Sequence, residues 1–110
     1  MNVYDTANRL AKEIKESEEY KKYKKLKDEI MSNPTSKKKI EEFEGLRYEV
    51  QLMQYTGEKR DEEKTKKLEE MYTMLIQDKQ IKDFFDLEVK FNVMIADVNK
   101  IIAEAIRDVL

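Results

Sequence analysis

The chain of 110 residues contains only two glycines, Gly45 and Gly57, and one proline, Pro34. That scarcity constrains the fold more than any other feature. Tight turns draw heavily on Gly and Pro, and an all-β or alternating α/β chain needs such a turn about every ten residues. Apolar residues make up 40% of the sequence and charged residues 42%. This composition supports a thin core beneath broad charged faces, as in amphipathic helices packed together. The expected fold is all-α: an elongated bundle of about five helices with a long C-terminal helix, dimeric, built from a single domain over residues 1–110.

The apolar spacing divides the chain. Val3, Ala7, Leu10, Ala11 and Ile14 recur at helical intervals and predict a first helix over residues 3–16, with Asp5 and Thr6 at its cap or first turn. Ser17 can stop that helix and cap a second, with Glu18 and Glu19 in a first turn that favours negative charge. Tyr20, Tyr23, Leu26 and Ile30 then share one face. Asn33-Pro34 breaks the chain again, because proline disfavours a helical residue before it yet suits the first position of a new helix. A third helix is expected from Pro34 to Thr56, with Gly57 as its stop. Residues 58–62 read as a loop with Asp61 as a cap. Leu68, Met71, Tyr72, Leu75 and Ile76 mark a fourth helix ending near Asp78 or Lys79.

The last helix is expected from Gln80 to Leu110. Phe84, Phe91, Val98 and Ala105 are spaced by sevens, and Ile95, Ile102 and Val109 interleave with them. This is a seam of 3.5-residue period with Glu88 as its polar member. Leu87, Met94, Ile101 and Ile106 widen it enough to pack against two neighbours. About thirty residues at 1.5 Å each give a helix of roughly 45 Å. A compact domain of this size is roughly 35 Å across. The overhanging face needs a partner, and a second copy of the chain is the simplest one. The expected dimer or partner interface is Phe84, Glu88, Phe91, Asn92, Ile95, Val98, Asn99 and Ile102.

Little in the sequence points to catalysis. Histidine and cysteine are absent, which removes imidazole-activated nucleophiles, thiol chemistry and the usual zinc and iron–sulfur ligands. Carboxylates are abundant, but dimetal sites in helical bundles commonly use Glu-x-x-His pairs. No catalytic residue, cofactor or metal is expected, and the chain reads as no enzyme. Net charge is −2, so bulk attraction to nucleic acid is not expected. A basic contact patch at Lys21, Lys22, Lys24, Lys25, Lys37, Lys38 and Lys39, next to Tyr20 and Tyr23, is the one feature suited to RNA. The tyrosines share a face with Leu26 and Ile30, so inward packing is the expectation. Met53, Met71, Met74 and Met94 read as core filling, and Gly45 as either a close helix crossing or a tolerated residue. No apolar run approaches a signal peptide or a membrane span, and a cytoplasmic protein is expected.

Three segments carry a family resemblance. VYDTANRLAKEIKESEEYKKYKKL, the stretch Phe43–Gly57 with Gln51 and Gln54, and IKDFFDLEVKFNVMIADVNKIIAEAI together resemble the YheA-like branch of the YlbF/YmcA family of small helical bacterial proteins. In the last segment Glu88, Asp97, Val98, Asn99, Lys100, Ile101 and Ile102 match the family pattern. The resemblance implies a helical bundle, usually dimeric. In the family, YlbF and YmcA act with a third protein in a regulatory complex linked to competence, sporulation, biofilm formation and RNA processing through ribonuclease Y. That complex carries cysteine-ligated iron–sulfur clusters, and a chain without cysteine cannot hold one. The expected function is thus a non-enzymatic, homodimeric adaptor or regulatory protein with a protein partner. The alternative is an RNA-associated accessory factor.

Overall fold

The computed structural model describes residues 2–56 and 62–110. Among these the chain is all-helical, with no strand. The helices are α1 (Val3–Glu16), α2 (Glu18–Met31), α3 (Pro34–Thr56), α4 (Glu62–Leu75) and α5 (Lys79–Ala105), followed by a 3₁₀ turn at Arg107–Val109. The expected stop at Gly57 and cap at Asp61 lie outside the described residues.

The boundaries follow from short polar side chains. Asn2 caps α1, its Oδ1 accepting from the Tyr4 N–H at 2.7 Å, and Asp5 falls in the first turn. Ser17 serves two helices at once. Its hydroxyl donates to the Ile14 carbonyl at 2.6 Å and accepts from the Tyr20 N–H at 3.2 Å. Asn33 Oδ1 accepts from the N–H groups of Thr35 and Ser36 at 3.0 and 3.3 Å, so the residue before Pro34 caps α3. Asp78 Oδ1 does the same for Gln80 at 2.9 Å. Each cap satisfies backbone donors that have no partner within the helix. Glu62, expected in the loop, opens α4 instead.

α5 ends five residues short of the expected Leu110. At Ile106 the backbone leaves the helix (φ −107°, ψ 6°), and Val109 and Leu110 bond back three residues to Ile106 and Arg107. The apolar repeat runs on to Val109, but the hydrogen-bond ladder does not follow it.

The packing divides into two compact units, one formed by Met1–Lys27 with Phe84–Leu110 and the other by Asp28–Asp83. In the second unit Ile30, Ile40, Phe43, Val50, Leu75 and Ile81 are buried. The rings of Phe43 and Tyr72 lie 6.1 Å apart, the Arg47 guanidinium stands 5.5 Å from the Phe43 ring, and Lys64 pairs with Glu49 at 3.5 Å. Full burial of an isoleucine or phenylalanine contributes about 1.5–3 kcal/mol, so each of these residues is a substantial stabiliser of that unit. In the first unit Phe84 and Phe85 are buried, and α1 buries no residue at all.

Candidate functional site

The expected interface on α5 is partly occupied by its own chain. The Tyr23 ring lies 5.4 Å from Phe84 and 5.5 Å from Phe91, and the Tyr20 ring lies 6.0 Å from Phe91. The tyrosines therefore pack inward. Phe84 is 1% exposed and has no surface to offer a second molecule. Glu88 is half-buried, and its carboxylate accepts a long hydrogen bond from the Tyr23 hydroxyl at 3.4 Å. Phe91, Ile95 and Val98 are half-buried, while Asn92, Asn99 and Ile102 are exposed. The N-terminal part of the expected seam thus serves the first unit's own packing.

A second apolar row on α5 is open. Val89 is 61% exposed, Val93 54% and Ile101 68%. Together with Met94, Val98, Glu19, Lys90 and Asp97 they line a shallow groove. Beyond it Ile102, Ile106, Val109 and Leu110 are exposed, as are Val3 and Tyr4 on α1. The signal for this row was present in the width of the apolar face. Periodicity shows that α5 is apolar on more than one side, but not which side the chain covers itself.

The second unit holds a separate groove. Met71, Met74, Leu75 and Ile81 line it together with Ser36, Lys39, Glu42 and Asp78. Met74 is not the core filler expected of it, being 75% exposed. It stands one position off the face that buries Leu75. Gly45 makes no close crossing, because a Cβ added there would meet nothing within 4 Å. It is a tolerated residue.

The two lysine clusters belong to different units. Lys21, Lys22, Lys24, Lys25, Lys37, Lys38 and Lys39 are all exposed, and Lys22 pairs with Glu18 at 3.4 Å and Lys37 with Glu41 at 3.9 Å. Such intrahelical pairs are the ordinary surface of a charged helix. Among the described residues no acidic group is arranged to hold a metal ion, and no helix is long and apolar enough to cross a membrane.

Residues 3–107 match the family model described as "Control of competence regulator ComK, YlbF/YmcA". The chain belongs to the YlbF/YmcA family. Among its relatives, a UPF0342 protein of Halothermothrix orenii is 36% identical over 102 residues, spanning 93% of this chain and 86% of that protein. One from Alkalihalophilus pseudofirmus is 35% identical over 108 residues, spanning 98% and 92%. Two solved structures share the fold of this YlbF/YmcA member. A protein of unknown function (DUF964) from Bacillus stearothermophilus superposes with a TM-score of 0.83 at 15% identity, over 96% of this chain and 93% of that one. YheA from Bacillus subtilis superposes with a TM-score of 0.68 at 24% identity over the full length of both chains. The YheA-like resemblance read from the sequence is borne out by these matches.

Proposed function

We propose that this YlbF/YmcA protein is a non-enzymatic, homodimeric adaptor or regulatory protein of the cytoplasm, acting through protein contacts. The observation that carries the reading is the set of apolar side chains that α5 leaves exposed at Val89, Val93 and Ile101 along one groove. Exposed apolar residues gathered along one helix face suit contact with another macromolecule. A homodimer covers such a surface with two copies of the same patch. The family description, control of a competence regulator, supports a regulatory role.

Two measurements test the reading. Sedimentation equilibrium should find a dimer at micromolar concentration, and a monomer at every concentration would remove the homodimer. Affinity capture of the tagged chain from its own cell extract, with and without nuclease, should recover a stoichiometric protein that survives nuclease. Partners that disappear with nuclease would replace the adaptor reading with RNA association.

A further inference from the structure

The outer face of α5 carries a symmetric arrangement of charge. Asp86, Val93 and Lys100 are spaced by sevens, as are Val89 and Ala96, and Lys90 and Asp97. All of these residues are exposed. At about 100° per residue they fall within a strip about 120° wide centred on Val93. Outward from Val93 the charges invert. Asp86 precedes it by seven residues and Lys100 follows by seven, while Lys90 precedes by three and Asp97 follows by four. Among the described residues none of these four charges is engaged in an ion pair.

That inversion has different consequences for the two ways of laying α5 against a copy of itself. A parallel partner in register sets every charge beside its own duplicate. An antiparallel partner related by a two-fold axis at Val93 sets Asp86 across from Lys100 of the second copy, and Lys90 across from Asp97. A two-fold axis normal to the helices also brings each flank of the strip against the same flank of the other copy. Lys90 and Asp97 share one flank, at about 60° and 40° from Val93, and Val89 and Ala96 share the other, at about 40° and 60°. The charged flank therefore meets its complement, Val89 meets Ala96, and Val93 meets itself on the axis.

We propose that α5 pairs antiparallel with α5 of a second copy about a two-fold axis at Val93. The proposal rests on the homodimer reading above and fixes its geometry. Complementary charge is what selects a second copy as the occupant, since the strip is its own partner only in this orientation.

Charge exchange tests it. In a K90E homodimer, residue 90 faces Asp97 twice with like charge, and in a D97K homodimer, residue 97 faces Lys90 twice in the same way. Each variant alone should dimerise about tenfold more weakly than the parent or worse. Mixed, they should recover a heterodimer of parental affinity by analytical ultracentrifugation. Because the chain has no cysteine, introduced thiols read orientation directly. D86C mixed with K100C should join through a short bifunctional thiol cross-linker, while neither joins to itself, since equivalent residues lie roughly 21 Å apart along antiparallel helices. Self-linking of either variant, or unweakened K90E and D97K homodimers, would overturn the antiparallel pairing while leaving the homodimer intact. A parent chain that stays monomeric would remove both.

Discussion

The Tyr23 hydroxyl lies 3.4 Å from a carboxylate oxygen of Glu88, across 65 positions of sequence. It ties the one polar member of the α5 seam to α2 of the same chain. The distance is long for an O–H···O hydrogen bond, so the ring below the hydroxyl carries more of the energy than the hydroxyl does.

Tyr23→Phe should therefore cost less than about 1 kcal/mol, the ordinary net value of a hydrogen bond. Tyr23→Ala, which loses the packing on Phe84 and Phe91, should cost about 2–3 kcal/mol. Urea unfolding separates the two, and equal losses would show that the hydroxyl dominates.

Gly45 offers a gain. It lies within α3 with open space where a Cβ would go. Gly45→Ala removes the entropic cost of a helical glycine and should stabilise the chain by about 0.5–1 kcal/mol. A lowered melting temperature would show that something occupies that space in solution.

Ser17→Ala should cost about 1–2 kcal/mol, because one hydroxyl both closes α1 and opens α2. Chemical denaturation measures the loss. An unchanged midpoint would mean that water replaces both bonds.

Val93 and Ile95 are near neighbours that differ in exposure. Val93 is exposed and Ile95 half-buried. Val93→Glu should leave monomer stability within about 0.5 kcal/mol while abolishing the dimer, as expected for a surface substitution. Ile95→Glu should cost at least about 2 kcal/mol by placing a charge against the chain's own packing. Circular dichroism with sedimentation distinguishes the two, and a dimeric Val93→Glu would place the interface elsewhere.

The fold was legible because its punctuation is chemical. Ser17 and Asn33-Pro34 divide the first three helices at the residues where their caps form. The end of α5 was not legible, because the apolar repeat continues through Val109 after the backbone has left the helix. Nor was the open face of α5. Phe84 and Phe91 belong to the strongest periodic signal in the sequence, and that signal predicts an apolar seam without saying which part of it the chain covers itself. Tyr20 and Tyr23 pack on these two rings. The weaker row of Val89 and Val93 is left exposed. Hydrophobic spacing ranks faces by how apolar they are, and the most apolar face is the one a chain uses first for itself.

The absence of any buried residue in α1 has a consequence for folding. A helix of 14 residues is at the length where isolated helices are marginal in water. Val3 and Tyr4 are exposed, so the chain itself does little to hold the first turn of α1. Amide protons in α1 should therefore exchange faster than those near Phe43 and Val50 in α3.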